Sequence, residues 1–478
     1  MPSVPRPLTS RLVAAATALL LAALVAVTAT APTADAADTT PTAGKVNPPA
    51  LWMQLNETPT EAQLQFAAKN YRVAVFNAWQ VPALKRLKEL NPAIKVLVYK
   101  CLSSTRSYSG AYSNGVDASP LPTGVGYGEA RSEWFAKDTN GARIQWSGYG
   151  GHWQMTTWDS AYQDRWVQNV TREIVSAGWD GILADNAIAR LHYYSSTPLS
   201  DGRTDADLRA SIDTLVAKAG NALNAAGKLV VPNVSDGRLY AGRWSGLTSY
   251  GGGYEEQFLH WGTDPNSGYI GDWGSQGWTN VVGEMGTPGL NLARVSAGPS
   301  DTRPYRYGLA SFWIGGGGKG AFTAVNPDQY GGTPLRTEQT WELGTPLTGM
   351  VKVGTAYTRT FSAGFAAANP SETLSQTVTV PAGMQDADGR TSGTITLPPL
   401  TGVIFKSIAV AAPAPSPTAS PTTAPTTAPT TAPTTAPAPA APTTSTAPTT
   451  SPTATPTVKV RGQSCSRRKD GTATCTTF

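Results

Sequence analysis

Three acidic residues stand where acids are chemically useful. Asp185 closes the apolar run Ile182-Leu183-Ala184 within G-W-D-G-I-L-A-D-N-A (Gly178–Ala187), and Glu255 and Glu256 follow three glycines in S-Y-G-G-G-Y-E-E-Q-F (Ser249–Phe258). The run has the size of a strand buried on both faces, and a carboxylate at the end of such a strand is poor core filler. At the carboxyl ends of parallel strands, where α/β proteins gather their catalytic groups, it has a chemical use. Two carboxyl groups across one mouth can protonate a leaving oxygen and attack, or activate water, which is the equipment for glycosidic cleavage. Strand alternation lets only one of Glu255 and Glu256 face inward. The preceding glycines, which let a ligand approach the backbone, favour Glu255. Asp180, at the other end of the Asp185 strand, reads as structural.

A second signal is aromatic excess, with 14 Trp and 17 Tyr. Packing is the commoner role of any single tryptophan. As a group among glycine-rich loops, Trp79, Trp153 and Trp313 among them, they favour a cleft that offers apolar faces to sugar rings. Tyr99, Lys100, Asn186, Asn233 and Glu284 sit at expected strand ends as hydrogen-bonding partners for hydroxyls. Cys101 is a lone cysteine in the body, and the three histidines are scattered, so neither a thiol nucleophile nor a metal site is expected. No cofactor is expected, and there is no G-x-S-x-G elbow for an esterase.

The elements that must position these residues alternate. Strands are expected at Ala50–Asn56, Tyr71–Trp79, Lys95–Cys101, Gly181–Asp185, Lys228–Ser235, Ser249–Phe258, Asn280–Gly286 and Arg306–Gly315. Thr60 with Gln63 has the form of a capping box that opens a first helix, Val81–Leu90 reads as a second, and Asp159 caps another that ends at Gly178. Asp205–Ala226 is amphipathic. Strands alternating with helices imply a parallel sheet, and eight strand signals over this length imply a (β/α)₈ TIM barrel across residues 37–345. A long insertion, Leu102 to Trp158, interrupts the third repeat and is expected to be functional. Residues 346–408 change to short strands and turns, the pattern of a small antiparallel β-sandwich domain.

The ends of the chain address it. Arg6 and Arg11, the apolar run Leu12–Val27 and Ala34-Asp35-Ala36 have the order of a secretory signal peptide over residues 1–36, too short an apolar run to remain as a membrane anchor. A secreted, extracellular protein with no membrane attachment after cleavage is expected. Residues 409–457 repeat A-P-T-T without charge or aromatics and read as a disordered linker. Residues 458–478 form a basic tail in which Cys465 and Cys475 are expected to close a disulfide loop in an oxidising compartment. The formal net charge of +5 divides into +1 from the leader and +4 from this tail, leaving the body neutral. A neutral body excludes nucleic acid as an expected partner, whereas the tail suits a cell-wall or polysaccharide surface. A monomer is expected.

In chain order, W-F-A-K-D-T-N-G-A-R-I (Trp134–Ile144), W-D-G-I-L-A-D-N, Y-E-E-Q-F and R-T-F-S-A-G-F-A-A-A-N-P (Arg359–Pro370) resemble secreted glycoside hydrolases grouped as a hypothetical glycosyl hydrolase family. The resemblance covers roughly Pro48–Lys406. It implies a TIM-barrel glycosidase with a β-sandwich appendage, similar in plan to α-galactosidase-like barrels. It also implies a nucleophile after strand four, Asp185, and an acid/base after strand six, Glu255, with Glu256 the competing choice; the acid/base of that group is usually Asp. The reading is a secreted glycoside hydrolase acting by two carboxylates, in a retaining manner, on a neutral poly- or oligosaccharide. The alternative is a non-catalytic carbohydrate-binding or cell-surface protein on the same scaffold.

Overall fold

The eight expected parallel strands are present, although the last two lie in different stretches of sequence. The computed structural model describes residues 46–107, 121–187, 190–191, 194–286 and 289–408, with the backbone of 463–467 and 473–477. The expected signal peptide and the 409–457 linker lie outside the described residues.

Strands β1 (Leu51–Gln54), β2 (Val73–Phe76) and β3 (Lys95–Cys101) alternate with helices α1 (Glu61–Asn70) and α2 (Val81–Leu90). The insertion that follows contributes the short antiparallel pair β4 (Ser104–Arg106) and β5 (His152–Gln154). Helix α3 (Ser160–Ala177) then leads to β6 (Gly181–Asp185), and α4 (Asp205–Ala225) leads to β7 (Leu229–Pro232). After α5 (Arg243–Leu247) come β8 (Gly252–Glu255), α6 (Trp278–Glu284), β9 (Leu290–Ser296), α7 (Thr302–Gly316) and β10 (Gly320–Val325).

Local chemistry sets several of these limits. Thr60 and Gln63 form the reciprocal capping box of α1. The Asp159 carboxylate accepts from Tyr162 N at 2.9 Å at the start of α3, and Gly178 ends that helix in the left-handed region at φ +87°. Asp180 immediately precedes β6, at the end opposite Asp185. There it accepts from Val96 N at 2.8 Å and pairs with Lys88 at 2.6 Å, a structural role.

Five strands pair in parallel in the order β1-β2-β3-β6-β7, and three in the order β8-β9-β10. Isolated parallel bridges Val230↔Gly251 and Asn233↔Tyr254 join β7 to β8, and Ala50↔Phe322 joins β10 to β1. Alternate side chains divide the core. Leu51, Met53, Val73, Val75, Leu97, Leu183, Val231, Tyr254, Leu292 and Ala321 form one apolar cluster, drawn from all eight strands. The intervening residues, including Trp52, Phe76, Val98, Ile182 and Val230, pack in the helix-side cluster.

Gly252 shows how tightly the strands are seated. It has φ +138°, and a Cβ there would collide with the backbone of Leu290, its register partner on β9. Gly252→Ala is therefore expected to destabilise the fold by about 3 kcal/mol or more, through positive-φ strain and displacement of β9. A urea midpoint within error of the wild type would contradict this.

Two sequence assignments are corrected. Asn280–Gly286 lies mostly within helix α6, and Arg306–Gly315 lies within helix α7. Nearly every α7 residue from Pro304 onward is buried, so the helix carries no polar stripe, and its run of aromatic and branched residues imitates a buried strand. The true seventh and eighth strands, L-N-L-A-R-V-S and G-A-F-T-A-V, hide behind buried Asn291 and Arg294 and behind small residues.

The α7 burial comes from its second neighbour. Strands β11 (Val351–Val353), β12 (Ala356–Phe361), β13 (Gly364–Asn369), β14 (Gln376–Gln385), β15 (Thr391–Leu397) and β16 (Thr401–Ser407) form one antiparallel sheet, ordered β11-β12-β13-β16-β14-β15. Ala366, Ala368 and Ile404 join the helix-side core with α7. Gly402 is so close that a Cβ would meet Ala310 Cβ at 2.8 Å. On the opposite face Phe365, Ala367, Val403 and Phe405 are buried with Val378, Val380 and Leu397 of β14 and β15. The sheet therefore curls over its own outer face, helped by a register shift in β14 between Val380 and Gln385.

Strands β17 (Gln463–Arg467) and β18 (Ala473–Thr477) form a separate antiparallel pair, in which Cys465 stands opposite Cys475 in register.

Candidate active site

One step up from the inner apolar cluster, the chemistry changes on five neighbouring strands. Two residues beyond Leu97, Leu183, Val231, Tyr254 and Leu292 stand Tyr99, Asp185, Asn233, Glu256 and Arg294. Strand alternation alone aims these residues into the same mouth.

Asn233 joins the two acids. Its Nδ2 donates to Asp185 Oδ1 at 2.9 Å and to Glu256 Oε2 at 3.1 Å. Asp185 Oδ2 accepts from the Tyr99 hydroxyl at 2.8 Å and from Asn186 Nδ2 at 2.9 Å. The Tyr99 oxygen itself accepts from Arg106 Nη2 at 2.8 Å and from Asn186 Nδ2 at 3.1 Å, which leaves its proton directed at Asp185. Burial raises the Tyr99 pKa well above the ordinary phenol value, so it stays protonated. Asn186 holds φ +57°, a conformation that asparagine tolerates better than most residues; its carbonyl accepts from Ser103 Oγ at 2.6 Å.

Glu256 is held from the other side by the Tyr330 hydroxyl, which donates to Oε1. The Arg294 guanidinium lies 4.6 Å from the Tyr330 ring centroid. Arg294 is fully buried and donates through Nη2 to the carbonyl of Asn326 at 3.0 Å, while Nε and Nη1 meet no acceptor among the described residues. Burial, then the charge of Asp185, push the Glu256 pKa above the ordinary carboxylate range, against the pull of Arg294 and the hydrogen bonds from Tyr330 and Asn233. The two acids thus have unlike surroundings: Asp185 is met by three donors, whereas Glu256 is biased towards its protonated form.

Glu255, the residue favoured by the sequence, faces the opposite way. It shares the outward side of β8 with Gly253, whose missing Cβ would meet Thr248 and Trp244, and it is 1% exposed. Its Oε1 accepts from Gln257 N at 3.3 Å and its Oε2 meets no donor among the described residues. Burial raises its pKa from 4.5 to about 7. The folded state therefore holds this proton more tightly than the unfolded chain does. The resulting stability is complete below about pH 4.5 and is lost as pH rises through about 7, a contribution on the order of 3 kcal/mol. Glu255→Gln is expected to flatten the fall of the thermal midpoint between pH 5 and pH 8 by a few °C while leaving catalysis in place. Loss of activity in a folded Glu255→Gln protein would reverse the assignment of the two glutamates.

Three other expected contacts are corrected. Lys100 is 0% exposed and points away from the mouth, pairing with Glu173 of α3 at 2.6 Å and with the Leu121 carbonyl. Glu284 lies on α6, where its carboxylate accepts from Gly242 N and from Ser245 N at 2.9 Å, covering the start of α5. Trp313 is buried on α7 against Phe312 and Phe361. Trp79, 45% exposed, follows the carboxyl end of β2 and so lies at the same end of the strands as Asp185. Trp153 is half-buried in the insertion, where its Nε1 donates to Ser107 Oγ at 2.8 Å. Arg106, Arg294 and Tyr330 were not foreseen. Arg294 was legible only once L-N-L-A-R-V was recognised as a strand with Leu292 inward.

A parallel α/β core with a bridged pair of acids at the carboxyl ends of its strands defines the class of site on which carbohydrate-cleaving enzymes are built. Residues 88–365, more than half of the chain, match the model of Hypothetical glycosyl hydrolase family 15, and the chain belongs to that family. No curated protein matches it in sequence. Among solved structures, the cycloalternan-degrading enzyme from Trueperella pyogenes is similar with a TM-score of 0.45 at 14% identity, over 75% of this chain and 62% of that one. The chain thus spans less than two thirds of that enzyme's length. An alpha-amylase from Malbranchea cinnamomea is similar with a TM-score of 0.42 at 11% identity, over 75% of this chain and 96% of that one.

Proposed function

We propose that this chain is a secreted glycoside hydrolase that cleaves a neutral poly- or oligosaccharide by a two-carboxylate, retaining mechanism. One observation carries the reading: a single amide group, Asn233 Nδ2, bonds both Asp185 and Glu256. Two acceptors on the two hydrogens of one planar amide lie about 5 Å apart, the spacing that suits a covalent intermediate; inversion needs a gap wide enough for a water between acid and base. Asp185 attacks the anomeric carbon as Glu256 protonates the departing oxygen. Glu256, now ionised, takes a proton from the water that cleaves the glycosyl ester and releases Asp185.

The scaffold of this reading is a (β/α)₈ barrel, and the isolated bridges from β7 to β8 and from β10 to β1 support its closure. The leader sequence supports export. The opposed positions of Cys465 and Cys475 support a disulfide that would form outside the cell, and the basic tail suits retention at an anionic surface.

The test is a panel of starch, dextran, xylan, galactomannan and mixed-linkage β-glucan, with release of reducing ends measured and the first-formed anomer read by NMR. Retention of configuration on one of them is expected. Binding without release of reducing ends would favour a non-catalytic carbohydrate-binding protein, and inversion would remove the covalent step.

A further inference from the structure

We infer that Tyr149, at the tip of the insertion, is a stacking platform for a neutral sugar ring bound beside Asp185, a contact that rests on the glycosidase reading and deepens it. The residue lies in S-G-Y-G-G, where Gly148 at φ +80° and Gly151 at φ +77° turn the chain sharply on either side. The turn is closed by hydrogen bonds from Tyr149 N to the Trp146 carbonyl at 3.1 Å and from His152 N to the Tyr149 carbonyl at 3.1 Å. The ring it presents is 52% exposed.

A lone exposed tyrosine would need no explanation. This one is seated on a layered aromatic stack. Trp146 lies between Tyr194, at 4.2 Å and 17°, and His152, at 5.8 Å and 13°, and Tyr149 meets both outer rings edge-on at 5.7 Å and 5.5 Å. Trp146 Nε1 is anchored on Gln154 Oε1 at 3.0 Å, and Ser147 N donates to the Tyr194 carbonyl at 2.8 Å. The stack is tied to the acids, since Tyr194 donates to Asn186 Oδ1 at 3.3 Å and Asn186 donates to Asp185.

Two electrostatic features agree with the geometry. Burial, followed by the nearby Arg106 charge, lowers the His152 pKa to about 4, so the imidazole in the stack is neutral near pH 7. Burial raises the Tyr149 pKa, and the charges of Glu256 and Asp185 add to it, so its hydroxyl stays protonated near pH 7. A half-exposed aromatic face linked through Tyr194 and Asn186 to Asp185 suits the C–H face of a neutral pyranose.

The experiment uses the full chain and the five polysaccharides above. Tyr149→Ala is expected to raise KM about tenfold on the polysaccharide that the wild type hydrolyses, with a smaller effect on kcat, and to abolish retardation in affinity gels containing that polymer. Tyr149→Phe, which keeps the ring, restores both, whereas an effect of the hydroxyl would persist in Tyr149→Phe. Unchanged KM and gel mobility in Tyr149→Ala would overturn the platform. If the wild type hydrolyses nothing but is retarded in a Tyr149-dependent way, the hydrolase reading fails and the platform stands. If the wild type is neither active nor retarded on any of the five, the platform is overturned with it.

Discussion

Asp185→Asn lowers kcat on the order of 10⁴-fold or more on the polysaccharide substrate, a loss of about 5.5 kcal/mol of transition-state stabilisation, while the affinity for that polymer is kept. An amide of the same shape keeps the volume but offers one acceptor oxygen, so it retains the bond from Tyr99 or from Asn233 and not both, and it cannot form the ester with the anomeric carbon. A second consequence identifies the neighbour. The negative charge of Asp185 is one of the forces holding the Glu256 pKa up, so its removal is expected to move the alkaline limb of any residual activity to lower pH. Steady-state kinetics with affinity electrophoresis on the same samples measures both. An Asp185→Asn protein within tenfold of the wild type would remove Asp185 from the reaction.

Glu256→Gln is expected to slow hydrolysis of the same polymer by about 10²- to 10⁴-fold, the usual contribution of a positioned general acid. The loss depends on the leaving group. A 2,4-dinitrophenyl glycoside departs without protonation, so its glycosylation step is nearly spared, whereas a sugar alkoxide is not. The alkaline limb of kcat/KM, which in the wild type follows ionisation of Glu256, disappears in Glu256→Gln. The substitution also disturbs the hydrogen bonds, because Tyr330 and Asn233 both donate to this carboxylate and a glutamine offers only one acceptor oxygen. Equal losses on the activated and natural substrates would assign Glu256 a structural role instead.

The first half of the parallel α/β core is readable because its signals are local. The Thr60 capping box, the Asp159 cap and the Gly178 stop each depend on residues three or four apart, and K-V-L-V-Y-K-C carries the apolar run Val96-Leu97-Val98 at its centre. The second half depends on what lies around each element. Helix α7 has no polar face because both of its sides are covered, and β9 carries a buried arginine whose use appears only when Tyr330 and Glu256 stand next to it. The same distinction runs through the site. Asp185, Asn233 and Asn186 were visible as polar residues closing apolar runs. The choice between Glu255 and Glu256 required the register of β8, fixed by Tyr254 packing inward, and the glycines that favoured Glu255 serve close strand packing and strand–helix contact. Lys100 and Trp313 look like subsite residues by type, but they are consumed by Glu173 and by the core.

The fit of the C-terminal sheet onto α7 has an evolutionary consequence. Many polysaccharide-degrading chains carry accessory units that recombination can exchange, because a flexible tether separates them from the catalytic body. Beyond residue 408 the sequence has the composition of such a tether, a long stretch rich in proline and threonine. The sheet from Val351 to Ser407 is instead packed directly on α7. Ala366, Ala368, Ile404 and Gly402 complete the burial of a helix that lies in sequence between β9, which carries Arg294, and β10. Removing or swapping that sheet would strip the helix of half its cover, so the parallel-strand core and this sheet are expected to tolerate exchange only as one unit.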